Sequence, residues 1–227
     1  MTPLPDRYLD LSPHFNENNF RVGFSLKGFS TDKTNDRAQF AKELGLDPKK
    51  LVIPKQVHGS QVHVCEISGK LDSTDGVISM DPSIVLSIQV ADCIPLIFLD
   101  RHRKEFGLIH AGWRGTAKGI VTEAMNKTSG KIDNMFFVIG PSIRQCCFEV
   151  GPEVAKIFPE KYLVNGKGDR SYLDLQGAVI HQLIEQGVDT EKIIDLEECS
   201  HCNPDKYHSY RRDGKKAGRM IAMAGWL

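Results

Sequence analysis

No apolar run in this sequence is long enough to cross a bilayer. Its longest apolar region, Ile84 to Leu99, is broken by Asp92 and Pro95, whereas a spanning helix needs about 20 predominantly apolar residues in succession. An excess of either charge is also missing, since Lys plus Arg and Asp plus Glu both number 29 among 227 residues. A protein devoted to a nucleic-acid polymer ordinarily carries a basic face. The one basic cluster, Lys206 to Arg219, is interrupted by tyrosines, glycines and Asp213. Nucleic acid and membrane are therefore not the expected partners, and a small anionic ligand is compatible with the charge pattern. The opening stretch MTPLPDRYLDLSPHF lacks the apolar centre of a signal peptide, so the expected location is the cytoplasm. There the six cysteines are expected to be ligands, nucleophiles or buried thiols rather than disulfides. Repeats, low-complexity tracts and a Gly/Ser/Pro-rich linker are all absent. The expectation is one domain over residues 1–227, as a monomer or weak homo-oligomer, with an ordinary core.

What is present is a series of short apolar runs bounded by Gly, Pro and Asp. Phe20–Leu26, Leu51–Ile53, Gln61–Ile67, Gly76–Ser79, Ile84–Val90, Ile94–Leu99, Phe106–Ile109 and Met135–Ile139 read as strands. Several are too apolar to have a wet face. Helical spacing predicts helices over Asp36–Leu46, Thr116–Lys127, Gly151–Phe158 and Leu175–Gln186. Lys206–Leu227 reads as one or two strands joined at Asp213–Gly214. Many strands with few helices, without regular alternation, predict an α+β (mixed α/β) fold: a layered sandwich of mixed sheets flanked by helices.

Three stretches concentrate chemistry: KQVHGSQVH (Lys55–His63), VADCIPLIF (Val90–Phe98) and HAGWRGTAKG (His110–Gly119). Each places a potential ligand at a strand end. Cys93 precedes Pro95, where a strand must stop or bulge; His110 closes one run; His58 lies in the loop before another. Two imidazoles and a thiolate are three protein ligands of the kind that hold catalytic zinc and leave a fourth position open, and copper accepts the same set. Taken singly, a His or Cys at a strand end is ordinarily structural. The spacings match no standard zinc pattern.

The stretches QVHG, ADCIPL, HAGWRGT, GPSIRQCCFEVG and HSYRRDG…GRM resemble those of the YfiH-like laccase-domain family. That family is also described as peptidoglycan editing factors and purine nucleoside phosphorylases, and formerly as polyphenol oxidases. The resemblance runs from about Phe20 to Leu227. It implies a layered mixed α/β fold and a metal, zinc or copper, held by His58, Cys93 and His110. The implied activity is phosphorolysis of adenosine, inosine and methylthioadenosine, with some adenosine deamination. Zinc-activated water suits attack at a purine carbon, and phosphorolysis needs cations to hold phosphate. Lys55, Arg114 and Arg211 or Arg212 are candidates for that task, and the alternative for Arg114 is a salt bridge holding its loop. Gln56, Asp75 and Asp92 complete the expected substrate-binding set. Asp75 and Asp92 are placed either to orient a ligand histidine or to bind ribose hydroxyls, and Asp92 equally to cap a turn. The segment Phe29 to Arg37 is shorter than in many family members, where it helps wall the pocket.

Three other functions compete. Cys93 with His110 as base describes a cysteine hydrolase. An editing role on peptidoglycan precursors, enzymatic or as a binding partner, would make the metal incidental. A copper polyphenol oxidase would need more histidines than the 8 scattered here. Cys146–Cys147 and Cys199-Ser-His-Cys202 form no closed ligand set that the sequence alone identifies. They are expected to be buried or redox-inert thiols, and His63 is expected to pack or face solvent.

Overall fold

The computed structural model describes residues 7–29 and 34–227. Two six-stranded sheets form its centre. The first runs β1 (Tyr8–Asp10), β2 (Phe20–Ser25), β15 (Met220–Trp226), β7 (Val85–Val90), β3 (Leu51–Pro54) and β5 (Gly69–Leu71). The second runs β14 (Ile193–Asp195), β10 (Met135–Ile139), β8 (Ile94–Asp100), β9 (Glu105–Ala111), β6 (Gly76–Ser79) and β4 (Val62–Val64). A small third sheet joins β11 (Glu149–Val150), β13 (Ser171–Leu173) and β12 (Leu163–Asn165). Both large sheets mix parallel and antiparallel pairs.

Side-chain alternation explains the layering. Along β15, Met220, Ala222, Ala224 and Trp226 point into the core between the sheets, while Ile221 and Met223 pack outward. The outward pair meets Phe40 and Ala41 of α1 (Thr34–Glu43) and Leu44 just after it. In β8, Ile97 and Leu99 face the intersheet core, and Ile94, Leu96 and Phe98 face the opposite side. That side is covered by α3 (Ile120–Lys127) and α5 (Leu175–Glu185) through Val121, Ala124, Val179 and Leu183. A strand buried on both faces needs apolar residues at every position, which is why these runs lacked alternation. The layered sandwich expected from the sequence is therefore present, in the order helix, sheet, sheet, helices. Among the described residues, no helix is long and apolar enough to cross a membrane.

Three expectations are corrected. The helix expected over Thr116–Lys127 is two helices, α2 (Trp113–Ala117) and α3, because Gly119 takes φ +78° and breaks the spiral. The helix expected over Gly151–Phe158 shrinks to α4 (Pro152–Ala155). The hairpin expected at Asp213–Gly214 does not form. Ser209 caps the nitrogen of Arg212, and α6 (Tyr210–Asp213) precedes a single strand, β15. Of the short segment Phe29–Arg37, residues 30–33 lie outside the described residues, and its two ends are buried.

Candidate metal centre

Three backbone features bring the ligand candidates together. His110 belongs to β9, and its backbone nitrogen donates to Asp75 O at 2.8 Å. Cys93 sits in the turn between β7 and β8, preceded by Asp92 at φ +83°. His58 sits at φ +59° in the loop after β3. A non-glycine residue in that region is uncommon and needs support from its surroundings. Asp75 supplies it for His58, with Oδ1 accepting from His58 N at 2.9 Å and Oδ2 from Val57 N and Gly59 N at 3.2 and 2.8 Å. Asp92 is held by Ser200 Oγ and Arg211 N, both at 2.7 Å.

One nitrogen from each histidine and the Cys93 sulfur all lie within 4.8 Å of one another. The rings of His58 and His110 meet edge to face, with centroids 4.9 Å apart. Asp75, wholly buried, lies 2.8 Å from His110 Nδ1. The carboxylate only accepts, so Nδ1 donates and Nε2 is left to face the site. An outer carboxylate that fixes a histidine's tautomer is a usual companion of a metal ligand. Donor types, convergence and outer partner all fit a borderline-soft divalent ion with three protein ligands.

Two glycines let the parts approach. A Cβ on Gly112 would stand 2.9 Å from Cys93 Sγ, and one on Gly115 would stand 2.6 Å from the carbonyl oxygen of Gly59. The glycines of HAGWRG are therefore steric requirements of packing α2 against the ligand loops.

The three candidate ligands open into a cleft of about 700 Å³. Lys55, Arg114, Arg211 and Arg219 bring positive charge to its walls, and Trp113, Phe148 and Tyr210 bring aromatic surface. The family described as multi-copper polyphenol oxidoreductase laccase matches residues 12–227. The chain belongs to this laccase family. It is 32% identical over 205 residues to the adenosine deaminase RL5 of an unknown prokaryotic organism, covering 82% of this chain and 78% of that protein. It is 33% identical over 189 residues to the purine nucleoside phosphorylase YfiH of Shigella flexneri, covering 79% and 75%. The crystal structure of the Bacillus licheniformis hypothetical protein YfiH superposes with a TM-score of 0.90 at 25% identity, covering 100% of this chain and 98% of that one.

Within this laccase-family cleft, the expected residues divide by role. Lys55, Arg114 and Arg211 line it. Arg114 is exposed and stacks on Trp113 with its guanidinium carbon 4.3 Å from the ring centroid, and among the described residues it forms no loop-holding salt bridge. Arg212 does not line the cleft; it binds Asp213 and the carbonyls of Ser200, His201 and Tyr207. Of the two roles expected for Asp75, the geometry matches the orienting one: it lies behind His110 with both oxygens engaged. Asp92 borders the cleft, yet both its oxygens are committed to Ser200 and Arg211, so it secures a turn and the first turn of α6. Gln56 also borders the cleft and spends its amide on the backbone of Gln89, accepting at 2.8 Å and donating at 2.7 Å. His63 pairs with Thr74 Oγ1 at 2.9 Å.

Arg37 was missed. It is buried in the cleft wall, where Nη1 donates to Ser87 Oγ at 2.7 Å, and burial pulls its guanidinium down to about 10. Nothing in its helical stretch marks it, because its partner lies on a strand 50 residues away.

Without an ion, Cys93 and His110 polarise each other. Burial works against the Cys93 thiolate, but the charge of His110 and hydrogen bonds from both histidines bring the thiol down to about 6. Burial likewise opposes a charged His110, and the Cys93 thiolate and Asp75 overcome it, raising the ring to about 9. Cys93 of metal-stripped protein should therefore be mostly thiolate at pH 7 and alkylate with iodoacetamide before Cys146, whose thiol burial raises to about 11. Zinc should protect Cys93 in the same assay, read by peptide mass spectrometry. Equal labelling with and without zinc would remove Cys93 from the ligand set.

Proposed function

We propose that this protein is a zinc-dependent purine nucleoside enzyme that splits adenosine, inosine and methylthioadenosine with phosphate and deaminates adenosine. The observation that carries the reading is the convergence of His58, Cys93 and His110 at a cleft with cationic and aromatic walls. The names of the relatives RL5 and YfiH support the same substrate class. A bound zinc supplies Lewis acidity and makes water a nucleophile near neutral pH. Arg114 and Lys55 line the cleft and would grip the phosphate, since a guanidinium binds phosphate oxygens in pairs. Trp113 and Phe148 offer flat apolar surface to a purine, and aromatic stacking on a base is worth about 1–3 kcal/mol. His58, Cys93 and His110 would hold the ion, while Asp75 keeps the His110 ring from turning.

The decisive experiment follows free adenine, hypoxanthine and inosine by chromatography when zinc-loaded protein meets adenosine or inosine, with and without phosphate. Phosphate-dependent base release supports phosphorolysis, and inosine from adenosine supports deamination. Neither product would overturn the proposal. Arg114→Ala should raise KM for phosphate at least about 10-fold, as expected for losing a charge-assisted contact, while KM for the nucleoside moves little. An unchanged phosphate KM would take Arg114 out of the site.

One observation favours a second reading. Cys93, His110 and Asp75 also form the chain of nucleophile, base and orienting carboxylate found in cysteine hydrolases. A stable acyl adduct on Cys93 during turnover, with activity surviving chelation, would favour a hydrolase.

A further inference from the structure

A second cluster of sulfurs lies outside the triad. After β10 the chain forms an isolated parallel bridge from Ser142 to Cys199. Ser142 N donates to Glu198 O at 3.2 Å, and Ser200 N donates to Ser142 O at 3.0 Å. Gln176 of α5 fastens the same loop by donating to Ser142 Oγ and Ile143 O, both at 2.8 Å. These bonds lay Cys146 and Cys147 against the turn Cys199-Ser-His-Cys202. The sequence expectation is of buried or redox-inert thiols; Cys199 is buried, whereas Cys146 and Cys202 are exposed, and all four sulfurs lie within 4.8 Å of one another.

The spacing has chemical meaning. Sγ separations are 3.6 Å for Cys146–Cys147, 3.7 Å for Cys146–Cys202 and 3.3 Å for Cys147–Cys202. Four sulfurs at about 2.3 Å from one zinc stand about 3.8 Å apart in a tetrahedron. A disulfide would need about 2.05 Å. Around Cys199, backbone amides of Arg144, Cys202 and His201 turn to the sulfur. Cations stand next to the cluster. Arg212 donates to the carbonyls of Ser200 and His201, and Arg211 donates to those of Cys147 and Glu149. They oppose the net negative charge that four thiolates around a divalent ion retain.

We propose that Cys146, Cys147, Cys199 and Cys202 form a second metal site, which takes a tetrahedral thiophilic divalent cation of the zinc class. Four protein ligands close the coordination sphere, so the site is structural rather than catalytic. Each thiol releases its proton to solvent on binding. The ion would clamp the loop carrying Ile143 and Phe148 to the segment carrying Ser200, and Ser200 in turn holds Asp92 beside Cys93. The inference does not depend on which reaction the cleft performs.

The test uses the full chain, purified under reducing conditions and dialysed against zinc, with metal measured by plasma mass spectrometry. About two zinc ions per chain are expected, falling to about one in Cys199→Ser and about one in a His58→Ala/His110→Ala double variant, since each set of ligands is a separate site. Cobalt substitution reads the donors directly. The double variant should keep the red ligand-field bands and strong thiolate-to-cobalt absorption of a sulfur-rich tetrahedron, and Cys199→Ser should fall to the weaker absorption of the single Cys93 thiolate. Should Cys199→Ser fail to fold, the exposed Cys146→Ser serves instead, with at least about 10-fold weaker cobalt binding at this site. A single zinc per wild-type chain that disappears in the double variant would overturn the proposal. So would a metal-free Cys147–Cys202 disulfide found in the reduced preparation.

Discussion

Replacing Asp75 with asparagine should weaken metal binding at His58, Cys93 and His110 by about 10–100-fold, the usual cost of removing a partner behind a ligand histidine. The reason is the number of donors converging on one carboxylate. Asp75 accepts from three successive backbone amides, Val57, His58 and Gly59, and from His110 Nδ1. An asparagine has one acceptor oxygen, and its amide hydrogens would face donors. A buried donor left unpaired costs about 1–3 kcal/mol, so the variant should also melt earlier. Whichever way the amide turns, one pair of donors loses its acceptor: either Val57 and Gly59, or His58 at its positive φ together with His110 Nδ1. Competition with a chelator of known affinity measures the first effect, and thermal unfolding of the metal-free protein measures the second. The pH dependence provides a separate check. Burial opposes the charged Asp75, but the hydrogen bonds from His110, Gly59 and Val57 win, and its folded value lies below the ordinary one. Its stabilising contribution is then complete above about pH 4, the unfolded carboxylate value, and disappears as pH falls through the lower folded value. Wild type should lose stability over that acid range more steeply than the asparagine variant. Equal metal affinity in the two proteins would show that Asp75 only packs.

Gly115→Ala should be nearly as damaging, although it adds one methyl group far from any reacting atom. The new Cβ would stand 2.6 Å from the carbonyl oxygen of Gly59, a backbone atom that cannot swing aside. Either α2 must back away or the His58 loop must shift, and both carry the ligand geometry with them. Overpacking of this kind costs about 1–3 kcal/mol, and a displacement near 1 Å at a catalytic constellation can cost about 100-fold in rate. Gly28→Ala is the control, because a Cβ there meets nothing within 4 Å. The measurement is zinc content with the melting curve of each variant. A Gly115→Ala protein with full zinc and wild-type melting would refute the steric account.

The sequence made the central strands legible because they are buried on both faces. Gly76–Ser79 and Met135–Ile139 appear with the expected limits, and the strands around Cys93 and His110 lie within a residue or two. Three-residue strands such as β5, β12 and β14 carry too few residues for any period to show. At Ser209 a local signal was available: a serine followed three residues later by its capped amide starts a helix, and the turn-like Asp213–Gly214 concealed it. The triad was readable only through a resemblance, since its members sit on three separate loops and strands. The sulfur cluster was hidden for a different reason. Cys146–Cys147 and Cys199–Cys202 approach only because Ser142 bridges to Cys199, and no periodicity within either segment encodes that bridge.

β15 lies between β2 and β7, and Ile221 N reaches Ser25 Oγ across 196 residues of chain. The first sheet is thus closed by a strand from the opposite end of the sequence. Such distant pairing slows folding, because the loop entropy must be met before the contacts form. Until β15 inserts, β2 and β7 are apolar edges with unsatisfied backbone groups, the kind of surface that recruits strands from other molecules. A chain cut before Met220 would leave those edges permanently open, and its expected fate is aggregation rather than a smaller soluble protein.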